Sequence, residues 1–255
     1  MNYFTLDGHS TTEWGIGLSA GSAYDAPARR GESISIPGSN KSIWVDGGGF
    51  ENVDITYPCW IAEEFADRVD GFRAFLAAHS DDFYRLTDSY HPDEYRMARY
   101  SAQFVAEPGT RNYSGRFDVT FSCQPERYLI SGDTEITLGE ETTITNPTDF
   151  PAFPVITVSG TAGTVFDLSI GNIDWLGEIP STPTGDLVLD TRTLAFYKKR
   201  GSTLTPIPVA GTLNFLDTDA NAGWLQPGNN EVLLYGEGGA TLDATVTLRP
   251  RWWTI

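Results

Sequence analysis

Only one segment of this chain spaces its apolar residues as a helix requires. Ile61, Phe65, Val69, Phe72 and Leu76 follow one another at steps of four, four, three and four, which places five large apolar groups on one face. The spacing predicts a helix over about 61–78. Glu63, Glu64, Asp67, Arg68 and Arg73 fall outside that stripe, and the two glutamates suit the positive end of the helix dipole. No second segment repeats this period. A chain with a single helix to plug one side of a sheet must build its cores from strands, so the expected class is mainly β with one amphipathic helix.

Alternation of period two supplies those strands. From Tyr113 to Cys123, Phe117, Val119, Phe121 and Cys123 point one way while Arg116, Asp118, Thr120 and Ser122 point the other. Gln124-Pro125 is expected to end this strand, because proline cannot continue the ladder. Glu32–Ile36 alternates as a half-buried strand does and runs into Pro37-Gly38-Ser39-Asn40, where proline presets φ and glycine accepts a positive one. Val53–Tyr57, Phe83–Thr87 and Tyr95–Val105 read as further strands. The later half shows Pro154–Val158, Val165–Ile170, Asp186–Leu189, Leu194–Tyr197, Val209–Phe215, Glu231–Tyr235 and Leu242–Leu248, with Lys198-Lys199-Arg200-Gly201 as a hairpin tip. "WLQPGNNEVLLYG", Trp224–Gly236, reads as strand, turn, strand. Short strands and frequent turns, with 26 glycines and 15 prolines, suggest a β-sandwich. The 255 residues suit roughly two domains, and the Gly-, Asp-, Glu- and Thr-rich Leu129–Thr148 segment puts the boundary near its start: 1–130 and 131–255.

Charge and motifs exclude more than they assign. A net charge of −17 repels phosphate backbones and anionic membrane surfaces. The two cysteines, Cys59 and Cys123, sit in apolar strand-like contexts and read as buried free thiols. The N-terminus shows no secretory pattern and no apolar run reaches membrane length, so synthesis in a cytosol is expected. Gly17-Leu18-Ser19-Ala20-Gly21 has the spacing of a nucleophile elbow, which needs a core strand before it and a helix after it, but only sixteen residues precede it and Gly21-Ser22-Ala23-Tyr24-Asp25-Ala26-Pro27 does not read as a helix. His9, His79 and His91 show no metal spacing. Asp217-Thr218-Asp219-Ala220-Asn221 starts like a calcium loop, but Ala222 and Gly228 stand where glycine and glutamate are needed. There is no Walker A and no dinucleotide fingerprint. A glycosidase carboxylate pair has no sequence spacing to betray it, and none is singled out. No catalytic residue, metal set or cofactor is therefore assigned. Of the seven tryptophans, Trp224, Trp252 and Trp253 are the candidate contacts for a partner or a glycan. Trp252 and Trp253 are adjacent, so in a strand only one can face the core.

Five pieces taken in order resemble the distal tail (Dit) proteins of siphophages. They are "ISIPGSNKSI" (Ile34–Ile43) followed by "DGGGFENVDITY", the amphipathic helix with a strand pair, "GRFDVTFSCQPERYL" (Gly115–Leu129), "NPTDFPAFPVITVSG" (Asn146–Gly160), and "WLQPGNNEVLLYG" with the ending "RPRWWTI". The resemblance spans nearly the whole length. It implies a β-sandwich-like N-terminal domain that closes into a hexameric ring, and a C-terminal sandwich of galectin or carbohydrate-binding-module type. It implies a virion protein at the distal end of the tail, with no enzymatic activity. The ring would join the tail tube to the hub or tail-associated lysin and to receptor-binding proteins. It would also continue the channel through which DNA passes without specific binding. An acidic lumen would serve that passage. The alternative implied function is a carbohydrate-binding module that recognises host cell-wall glycans through the C-terminal domain.

Overall fold

In the computed structural model, which describes residues 1–19, 24–171, 173–181, 185–215, 225–239 and 241–255, the chain is mainly strand, with one α-helix among the described residues. It divides into two units, Met1–Arg127 with Ile255, and Tyr128–Thr254. No helix among the described residues is long and apolar enough to cross a membrane.

The first unit contains β1 (Phe4–Leu6), β2 (His9–Ser10), β3 (Ile16–Leu18), β4 (Arg29–Ser35), β5 (Ser42–Phe50), β6 (Val53–Ile61), α1 (Phe65–Ala78), β7 (Tyr84–Asp88), β8 (His91–Tyr100), β9 (Val105–Pro108) and β10 (Gly115–Leu129). One sheet runs β2-β1-β7-β8-β10-β6-β3, with β9 on the first residues of β10. Phe65, Val69, Phe72 and Leu76 of α1 are buried in one core with Phe4, Ile55, Tyr57, Phe117 and Phe121 from the strands. The fifth residue of the predicted helical face, Ile61, instead closes β6, paired with Gly115 and Ile16. Glu64 precedes the helix at φ 55, and this left-handed step separates strand from helix. Glu63 and Glu64 thus stand ahead of the first turn, and both accept hydrogen bonds from Arg68.

The inward residues of β10 are Phe117, Val119, Phe121 and Cys123, as the alternation requires. The strand does not stop at Pro125; it continues to Leu129. Proline removes one N–H and holds φ near −65°, which costs a strand only the ladder bond that N–H would have made. Burial pushes the Cys123 thiol up to about 12 and raises that of Cys59 as well. A buried thiol of raised pKa presents almost no thiolate. Neither cysteine should react with a disulfide reagent at about pH 8 in the native protein, and both should react in denaturant. Prompt labelling of native protein would show that the sheet opens.

The second unit contains β11 (Ile136–Thr137), β12 (Glu141–Asn146), β13 (Val155–Gly160), β14 (Val165–Ile170), β15 (Ile173–Glu178), β16 (Asp186–Asp190), β17 (Ala195–Arg200), β18 (Thr203–Ile207), β19 (Thr212–Phe215), β20 (Gly228–Gly236), β21 (Ala244–Arg249) and β22 (Trp253–Thr254). Two sheets, β11-β21-β13-β16-β17-β18 and β12-β20-β14-β15-β19, share one core, so this unit is a β-sandwich. Ile156, Leu187, Leu189, Phe196 and Val246 enter it from the first sheet; Phe166, Leu168, Trp175, Val232 and Leu234 enter from the second. Trp175 is fully buried and donates from Nε1 to the Ala210 carbonyl at 2.9 Å. The predicted hairpin tip lies further on: Lys198 and Lys199 are within β17, and Gly201, at φ 59, makes the turn into β18.

Candidate assembly interface

β4 and β5 pair only with each other and form a two-stranded ribbon. Its sequence explains its shape. Gly38, at φ 78, takes the turn between the strands, closed by Ser39 N–H on the Ile36 carbonyl at 3.1 Å. At the root, Arg29 pairs with Phe50 and Gly31 with Asp46, so Gly47, Gly48 and Gly49 bulge out of β5. Gly48 and Gly49 sit at φ 71 and 76, which side chains other than glycine's resist. Arg29 Nε donates to Asp46 at 3.1 Å, and Gly48 N–H donates to the other carboxylate oxygen at 3.0 Å. These bonds, that from Arg29 foremost, hold the Asp46 carboxyl below its ordinary range. Arg30 pairs with Glu51 at 3.3 Å.

The alternation in Glu32–Ile36 predicts a half-buried strand, yet every residue of β4 is exposed. The alternation does make an apolar face. Ile34 stands opposite Ile43 in register, and Ile36 and Val45 extend the same side. These four side chains are between 38% and 55% exposed. On the other side, Trp44 lies across Gly31, where even a Cβ would meet its ring. Among the described residues nothing covers the isoleucine face. A two-stranded ribbon is marginal by itself in water and gains stability when an apolar face is packed.

A polar cluster on β8 lies near the start of the segment that leads into the ribbon. Arg96 Nη2 donates to the Asp25 carbonyl at 3.3 Å, and the Tyr24 ring meets His91 edge-on at 4.8 Å. Asp88 accepts from the Tyr57 hydroxyl at 2.7 Å and from the Tyr90 and His91 N–H groups at 2.9 Å. Burial foremost, then Asp88, pushes the Tyr57 phenol well up. Burial lowers the Arg96 guanidinium. This cluster had no sequence signature, since its members come from β6, β7, β8 and the loop before β4.

The structure describes two of the three candidate tryptophans. Trp224 lies outside the described residues, as does the calcium-like stretch Asp217–Asn221. Trp252 is only 5% exposed and belongs to the sandwich core, so its ring offers no face to a ligand. Trp253 is half-buried, stacked on Phe150 at 4.6 Å, and donates from Nε1 to the Pro151 carbonyl at 2.7 Å. The adjacent pair is thus split between the core and a cover drawn from the same unit. Of the expected turn Pro227-Gly228-Asn229, Gly228 and Asn229 already belong to β20, opposite Asn146 and Thr145 of β12; Gly228 starts the strand at φ 84, and the Asn230 side chain binds both N–H and C=O of Gln226.

The fold is that of a two-unit β protein in which a helix-backed sheet with a projecting ribbon is followed by a sandwich. No family model matches the chain, and no curated protein matches it. Among solved structures it is similar to the Dit protein (gp 19.1) of phage SPP1, with a TM-score of 0.64 at 14% identity, over 97% of this chain and 98% of that one. That protein is described as a paradigm of the hub adsorption apparatus in phages infecting Gram-positive bacteria. Chains of the phage p2 baseplate in its activated conformation, with strontium and with calcium, align over 97% of each chain at TM-scores of 0.47 and 0.46 and identities of 10% and 11%. The chain therefore has the distal-tail-protein fold over nearly its whole length.

Proposed function

We propose that this chain is a structural protein of a phage tail tip, a part of the hub and adsorption apparatus. Copies close into a six-fold ring through the first unit. The ring sits between the tail tube and the hub or tail-associated lysin, carries receptor-binding proteins, and continues the DNA channel. The observation that carries this reading is the end-to-end sharing of the SPP1 Dit fold, supported by a ribbon whose isoleucine face has no cover among the described residues. A closed ring gives each such face a partner on the next copy and leaves no odd surface exposed. Carboxylates facing the lumen would keep DNA from adhering. The glycan-binding alternative has less support, because Trp252 is buried and Trp253 is covered by Phe150.

The test is the mass of the purified protein by light scattering after size exclusion, with negative-stain images of the same fraction. A six-fold annulus with an open channel is the expected result. A monomer at high concentration, both alone and with tail-tube protein added, would overturn the ring.

A further inference from the structure

The outward face of the six-stranded sheet of the second unit holds a recess of about 200 Å³. Its floor is apolar. Val155 and Val188 belong to it, and Val188 is only 4% exposed although it points away from the sandwich core. Thr157 and Thr247 contribute hydroxyls beside them. Arg249 of β21 and Lys199 of β17 stand on either side, with Glu135 as the one carboxylate among the lining residues. Two cations against one anion is the reverse of the balance in the chain as a whole.

Neither cation makes an ion pair within 4.0 Å among the described residues, although Asp186 stands opposite Lys199 in register. Arg249 Nε is buried and finds no acceptor among the described residues. Arg251, two residues along, shows the usual outcome: its Nη groups bind Asp190 at 2.8 and 3.2 Å, and its Nε binds the Phe153 carbonyl at 2.6 Å. A buried guanidinium N–H without an acceptor is costly, and native proteins rarely leave one.

We propose that this recess binds a small organic carboxylate, held by Arg249 and Lys199, with its carbon skeleton on Val155 and Val188. Arginine presents a planar fork that matches a carboxylate. The apolar floor and the flanking hydroxyls suit a carbon body that carries a single anionic group. A phosphate-rich ligand would call for more converging cations. The inference stands apart from the ring, because every lining residue belongs to the second unit.

The experiment is a titration of the full-length protein with glucuronate and, separately, with succinate, following the Arg249 Nε–H signal by NMR. A saturable shift with a dissociation constant on the order of 1 mM is expected. Arg249→Gln should weaken binding about tenfold and Lys199→Gln several-fold, with melting temperatures unchanged. Tighter binding of glucuronate would identify a carboxylated sugar as the ligand; equal binding would assign recognition to the carboxylate alone. An unmoved signal, or the same shift from sodium chloride at matched ionic strength, would overturn the site. Undiminished binding by both variants would do so as well.

Discussion

Replacing Ile34 by lysine together with Ile43 by glutamate should convert the proposed ring to monomer without lowering the melting temperature of the subunit. The two residues face each other across β4 and β5. Opposite charges at that register keep the strands paired, so the ribbon survives while its apolar face is lost. Each isoleucine buried at a contact contributes roughly 1.5–3 kcal/mol. Losing two per contact raises the dissociation constant by roughly 10² to 10⁴. Ile34→Val with Ile43→Val retains the face and should still assemble. Light scattering on the three proteins at one concentration decides the matter. A charged variant that still closed into rings would show that the ribbon does not hold copies together, and the contact would have to be sought on another surface of the first unit.

What could be read from the sequence follows physical lines. Period-two alternation was enough for β10, because Phe117, Val119, Phe121 and Cys123 lie inside one chain's core. The same alternation in Glu32–Ile36 gave the apolar face but not its cover, since alternation says which side seeks burial and not whether this chain supplies it. Ile61 kept step with the helix only because four residues separate it from Phe65; the left-handed Glu64 between them carries no sequence mark. β12 was hidden in a polar stretch that read as a connection. Its last inward residue is Asn146, a polar side chain satisfied inside the fold by the Phe150 and Leu225 carbonyls at 2.9 and 3.0 Å. β15 lacks a clean alternation, since its inward Gly177 is small and its outward Leu176 is apolar, although its Trp175 is the largest fully buried side chain among the described residues. The recess on the second unit was out of reach altogether. Arg249, Lys199, Val155 and Val188 meet through strand order and register, which no spacing along the chain encodes.

Phe72→Ala should cost the first unit roughly 3–5 kcal/mol, the range for emptying a buried aromatic site. α1 has 14 residues and includes Gly71, so as an isolated helix it would be marginal in water and is held by what it packs against. Phe72 is its central contact. It is fully buried, and its ring lies within 6.5 Å of those of Phe4, Trp14, Phe104 and Phe117. These belong to the N-terminal segment, the loop before β9 and the central strand, so one side chain ties the helix to three parts of the unit. The loss is a large share of the roughly 5–15 kcal/mol that keeps a domain folded. Arg73→Ala, one position along and exposed, should stay within about 0.5 kcal/mol and serves as the control. Urea denaturation followed by helical circular dichroism and by tryptophan fluorescence measures both. A change below about 1 kcal/mol for Phe72→Ala would mean that the helix is not anchored through this residue. A full loss would also remove the support behind the sheet from which the ribbon projects, and ring formation should then fail with the ribbon sequence intact.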